Sequence, residues 1–191
     1  MTVSLARALA CDGIDSLRFD MSGIGESSDR RDQLGWEDSA PLEIREAIDQ
    51  IDAPGTAIVL YGNCGGAGKS FLAARQDPRV RGLLLTNPPP HPSEEEGGDQ
   101  ERVRQHATQT ARDLHAILNR GVLMFFIFAA EDPGLHYYDK WLRPALLSHL
   151  ETGSLRVEIV QASNHTFSPA PARAAVIALS RKWLRRFNAV A

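Results

Sequence analysis

The sequence predicts an α/β fold, a mostly parallel sheet of about five strands with helices on both faces. Two observations carry this. Gly82–Thr86 and Val122–Phe128 are almost continuously apolar, as central parallel strands must be when both faces are covered. Between them, Val103, Ala107, Thr110, Leu114, Ile117 and Leu118 recur at helical spacing. With 191 residues, the chain reads as one α/β domain over 1–191, long enough to bury a sizeable core.

In chain order, residues 3–11 read as an amphipathic helix, with Cys11 as a small core residue. A strand is expected at Ser16–Asp20, a helix at roughly 40–50, and a strand at Ala57–Tyr61 running into a helix at 66–76. Strand Val80–Thr86 follows, and then the Pro- and Glu-rich segment 88–98, which reads as an exposed, mobile loop. A helix at 99–119, strand Val122–Ala129, a helix at 137–150 and strand Leu155–Gln161 complete the alternation. The last helix, 170–187, pairs an apolar stripe (Val176, Leu179, Trp183, Leu184, Phe187) with a basic face. That face could meet an acidic partner, but it reads more simply as solvated.

Composition narrows the function. A net charge of -3 argues against nucleic acid as a partner. The longest apolar stretch, Gly121–Ala130, is well short of the roughly 18 residues of a membrane span. Two Cys and no export signal make a disulfide framework unexpected and a cytoplasmic location expected.

Gly62-Asn63-Cys64-Gly65-Gly66 stands between the strand ending at Tyr61 and the following helix. Gly-x-nucleophile-x-Gly at a strand-to-helix turn is the nucleophile elbow of α/β hydrolases, here with Cys in place of Ser. The turn strains the nucleophile's backbone, and flanking Gly lets the neighbouring chain pass. It also sets the sulfur at a helix N-terminus, where unpaired N–H groups favour a thiolate. Two further loops after strands hold Asp132, in Ala-Ala-Glu131-Asp132-Pro133, and His165, in Ser163-Asn-His165-Thr-Phe167. Strand ends of a parallel sheet share one edge, so Cys64, Asp132 and His165 are expected to meet there. Plainer readings stand beside each. An isolated Cys is usually a small buried hydrophobe, a lone His is mostly a surface or capping residue, and Asp before Pro often caps a helix. Glu131 is the alternative acid.

Leu17-Arg-Phe-Asp20-Met-Ser-Gly23-Ile-Gly25-Glu-Ser27 resembles the FDxxGxGxS stretch that precedes the elbow in the α/β-hydrolase superfamily, and Asn164-His165-Thr-Phe-Ser168 resembles its His loop. The Cys elbow with His-Thr-Phe-Ser is most similar to the exosortase A system-associated hydrolases; dienelactone hydrolases share the Gly-x-Cys-x-Gly but fit the rest less well. The resemblance implies Cys64 as nucleophile, His165 as base and Asp132 as its orienting acid. The N–H of Gly65 would be one oxyanion donor. It implies a small-molecule acyl substrate, an ester or thioester, with hydrolysis or acyl transfer left open, and neither metal nor organic cofactor. Asp20, Gly23 and Gly25 would shape a loop beside the site, and Ser27 would hydrogen-bond it.

Relative to that superfamily the chain reads as N-terminally truncated, lacking further strands and an oxyanion loop that often begins His-Gly. The strands at 16–20 and 57–61 would then pair directly, or a homo-oligomer or partner chain would complete the sheet. The 68-residue interval from Cys64 to Asp132 leaves no room for a large cap domain. Two other functions compete. One is a non-catalytic, hydrolase-like binding or assembly subunit, suggested by the absent oxyanion loop. The other is a nucleotide-binding P-loop, because Gly68-Lys69-Ser70 follows Cys64-Gly-Gly-Ala, although the first Gly falls one place early, at 62.

Overall fold

In the computed structural model, which describes residues 1–90 and 99–188, four strands pair in chain order into one parallel sheet. They are β1 (Ile58–Asn63), β2 (Val80–Thr86), β3 (Leu123–Ala129) and β4 (Leu155–Val160). The helices are α1 (Thr2–Cys11), α2 (Trp36–Asp49), α3 (Gly65–Gln76), α4 (Gln100–Asn119), α5 (Pro133–Tyr137), α6 (Leu147–Thr152) and α7 (Ala170–Asn188).

Strand periodicity sorts the core into two layers. Leu83, Leu85, Met124, Phe126 and Phe128 face one side, where they meet apolar residues of α2, α3, α4 and α5. Leu84, Phe125, Ile127 and Ala129 face the other, against α1 and α7. Trp183 of α7 is fully buried there, its ring 5.7 Å from that of Phe125. The Arg181 guanidinium grips both oxygens of Asp12 at 2.5 Å, fastening α7 to the end of α1. The described residues contain no large cap domain, and none of their helices is long and apolar enough to cross a membrane.

Three expectations need correction. Ser16–Asp20 forms no regular element and pairs with no strand, leaving Leu17 and Phe19 exposed and four strands rather than five among the described residues. Alternating apolar residues make a strand only where a neighbour supplies a ladder, and β1, the first strand in the sheet order, pairs with β2 alone. The helix expected at 137–150 is broken into a π-turn at Tyr138–Leu142, a 3-10 turn at Arg143–Leu146 and then α6. Pro144 explains this, since it has no N–H for the i−4 bond and its ring crowds the preceding turn. Cys11 is exposed rather than buried: Leu5 and Leu9 form the inward stripe of α1, and a residue two places past Leu9 points away from it. Of the loop expected at 88–98, residues 91–98 lie outside the described residues.

Candidate active site

β1 ends at Asn63 and α3 begins at Gly65, so the whole turn is Cys64, at φ 53° and ψ -123°. That conformation is costly for any residue with a Cβ and persists only where its surroundings fix it. Here the Cys64 N–H donates to the Thr86 carbonyl at 2.9 Å, and the Cys64 carbonyl accepts from the Ala67 N–H at 2.8 Å. Gly62 is required by close approach: a Cβ there would stand 2.3 Å from the Gly66 carbonyl oxygen. Cys64 is half-buried. Gly65 is exposed and is the first residue of α3, so its N–H lies ahead of any intrahelical acceptor. A P-loop does not fit this geometry, since Gly65 to Lys69 is already helix and no backbone loop remains to wrap a phosphate.

Asp132 is only 5% exposed and uses both oxygens. Oδ1 accepts the Gly134 N–H at 2.9 Å, capping α5, and Oδ2 faces His165 Nδ1 at 2.6 Å. Helix cap and imidazole partner are therefore the same carboxylate. Gly134 is set by close approach, because a Cβ there would stand 2.1 Å from the Pro88 carbonyl oxygen and 2.9 Å from Asp132 Oδ1. Glu131 is exposed and pairs with no described residue. With the Asp132 carboxylate as acceptor, His165 Nδ1 carries the proton and Nε2 keeps its lone pair, directed away from the carboxylate. The His165 side chain is 43% exposed, so the imidazole is open to solvent.

The His165 loop is braced at three points. Phe167, at φ 50°, is fully buried among the core residues beneath α7. Asn164 Oδ1 accepts the Ser168 N–H at 2.9 Å, and its Nδ2 reaches Ser168 Oγ at 2.6 Å. Asn87 Nδ2 donates to the His165 carbonyl at 2.7 Å. Sequence reasoning missed Asn87, which is fully buried at φ 43°, and Thr86 beside it. Thr86 Oγ1 donates to Asn63 Oδ1 at 2.8 Å and lies 3.3 Å from Tyr61 Oη, tying the elbow to β2. The only signal for either residue was its place at the end of an apolar strand.

Cys64 and His165 thus hang from adjacent residues, one by the Thr86 carbonyl and the other by the Asn87 side chain. Asp132 and His165 are brought together directly; Cys64 Sγ makes no hydrogen bond to the imidazole. The loop at 20–27 is closed by Ser27 Oγ donating to the Asp20 carbonyl at 2.7 Å, with Gly23 and Gly25 at positive φ. None of the hydrogen bonds among the described residues joins that loop to Cys64, Asp132 or His165.

No family model matches the chain, and no curated protein does. Solved structures do. A putative α/β hydrolase of unknown function from Agrobacterium tumefaciens superposes with a TM-score of 0.64 at 16% identity, over 98% of this chain and 77% of that one. The esterase domain of a Rhodothermus marinus protein gives 0.60 at 17% identity, over 97% and 79%. A mutant N-acyl homoserine lactonase bound to N-hexanoyl homoserine gives 0.55 at 19%, over 87% and 77%. The architecture is that of the α/β-hydrolase fold.

Proposed function

We propose that this chain is a Cys-dependent hydrolase or acyltransferase for ester or thioester substrates, working through an acyl-enzyme. The observation that carries the reading is the 2.6 Å contact between His165 Nδ1 and Asp132 Oδ2, at the sheet edge where the strained Cys64 stands. His165 Nε2 takes the thiol proton as Cys64 Sγ forms a bond to the acyl carbon. The carbonyl electron pair moves onto oxygen, where the Gly65 N–H is one donor. Collapse of the tetrahedral intermediate breaks the bond to the leaving alkoxide or thiolate, which receives the proton from Nε2. Water or another acceptor then gives its proton to Nε2, attacks the thioester and frees Cys64. Resemblance to exosortase-associated hydrolases in the Cys elbow and the His-Thr-Phe-Ser stretch supports the choice of sulfur as nucleophile.

Mass spectrometry after exposure to small activated acyl esters tests this. An acyl adduct on Cys64 is expected, absent in Cys64→Ala and formed far more slowly in His165→Ala. A folded protein that never acylates at Cys64 overturns the proposal. That outcome would favour the second reading, a non-catalytic binding subunit, to which the missing hydrogen bond between Cys64 Sγ and His165 points.

The outer edge of β1, which pairs with β2 alone among the described residues, and the exposed Leu17 and Phe19 support completion of the sheet by a second copy or a partner chain. Sedimentation equilibrium of the purified chain should then show species above its 21.0 kDa mass. A single monomeric species at all concentrations would rule out self-association.

A further inference from the structure

We infer that Asn87 is a positioning residue, whose carboxamide holds the Asp132 loop and the His165 main chain in register so that the His165–Asp132 pair keeps its geometry. Its hydrogen bonds close a ring. Asn87 Oδ1 accepts the Ala129 N–H at 2.8 Å, and the Ala129 carbonyl accepts the Asp132 N–H at 3.1 Å. Asp132 Oδ2 meets His165 Nδ1 at 2.6 Å, and the His165 carbonyl accepts from Asn87 Nδ2 at 2.7 Å. The orientation of the amide is settled by its partners. A backbone N–H can only donate and a carbonyl can only accept, so oxygen must face Ala129 and nitrogen His165.

The local sequence explains why a side chain is needed here. β2 pairs with β3 up to Thr86, and the Asn87 N–H still donates to the Ile127 carbonyl at 3.0 Å. At Asn87 the backbone turns to φ 43° and Pro88 follows, so the main chain leaves the ladder. The Asn87 side chain then takes over the ladder bond at Ala129, and its remaining N–H reaches across to His165. Few residues meet all these demands. Asp offers no donor, Leu offers neither donor nor acceptor, and Asn is among the few non-Gly residues that adopt positive φ readily. Phe167 and Asn164 brace the His165 loop from within. Asn87 instead ties it to the element that carries Asp132.

The kinetic arm of this inference rests on the acyl-transfer reading above; the spectroscopic arm does not. Asn87→Asp keeps the acceptor for Ala129 but sets an oxygen against the His165 carbonyl, whereas Asn87→Gly keeps the backbone conformation and deletes the carboxamide. In proton NMR of the unreacted wild type, the His165 Nδ1–H bonded to Asp132 should give a low-field resonance that Asp132→Asn removes. In folded Asn87→Asp and Asn87→Gly that resonance should shift upfield or exchange away. The Cys64 acylation rate should fall about 10- to 100-fold, with KM within about twofold of wild type. An unchanged resonance in either folded variant overturns the inference. So does failure of both variants to fold, since Asn87 would then be structural only. A wild type that keeps the resonance but turns over no acyl ester fails the catalytic reading and leaves this one standing.

Discussion

Asp132 and His165 meet at 2.6 Å through one carboxylate oxygen, while the other oxygen is held at 2.9 Å by the N–H of Gly134. The cap fixes which way the carboxylate faces, and through it which imidazole nitrogen is free to act.

Asp132→Asn should therefore be severe while leaving the fold intact. The Gly134 N–H keeps the amide oxygen at the cap, which turns the amide NH2 toward His165 Nδ1. The imidazole proton must then sit on Nε2, and the base is lost. Acylation of Cys64 should drop by about 1,000- to 10,000-fold. Stopped-flow measurement with an activated ester, alongside an unchanged circular dichroism spectrum, checks this.

Gly62→Ala probes the elbow. The new methyl would press on the Gly66 carbonyl at 2.3 Å, and that backbone belongs to the first turn of α3. Destabilisation of about 2–3 kcal/mol is expected, read from urea unfolding, together with loss of Cys64 acylation.

Arg79→Met tests an ion pair at the foot of the sheet. Asp77 is buried and accepts from Arg79 through both oxygens, and Arg79 also reaches Asp49 at 2.7 Å and Asp52 at 3.1 Å. Removing the guanidinium leaves the Asp77 carboxylate with the Arg79 backbone N–H at 2.9 Å but without its charged partner, at a cost of about 1–3 kcal/mol. The Arg79 hydrogen bonds hold the Asp77 carboxyl below its ordinary range, so the stability it contributes is present above that range and lost as pH falls. Denaturant titrations from pH 7 to 3 should show a shallower acid limb in the variant.

His149 gives a second pH dependence, nearer neutrality. Its Nε2 lies 2.8 Å from His115 Nδ1, and its Nδ1 lies 3.1 Å from Ser154 Oγ. His115 Nε2 is held at 2.8 Å by the Ala145 carbonyl. Burial, and then His115, push the His149 pKa below the ordinary value of 6.5. The unfolded chain therefore takes up this proton first, and stability is lost as pH falls through and below that value. His149→Gln should flatten the dependence of melting temperature between pH 7.5 and 5.5; an unchanged slope would show that the pair contributes nothing.

What the sequence disclosed follows from how local each determinant is. β2 and β3 were readable because a strand buried on both faces has to be apolar throughout, and the loops after β1, β3 and β4 then placed Cys64, Asp132 and His165 at one edge. Ser16–Asp20 misled because its alternation is local, whereas a strand needs a neighbour that no residue in the segment announces. Cys11 misled because residue type was weighed above helical angle. Asn87 was invisible for a different reason. Its importance comes from three strand ends converging on one amide, and nothing in the run Leu85-Thr-Asn-Pro88 encodes that convergence.

Phe167 sits two residues from His165 with its ring sunk among the residues that surround Trp183. Loosening of that layer by heat, pressure or a cavity must withdraw the His165 imidazole at the same moment. Reactivity at the sulfur and the fluorescence of Trp183 should accordingly fade along a single melting curve, making loss of that reactivity a direct gauge of packing on the far side of the sheet.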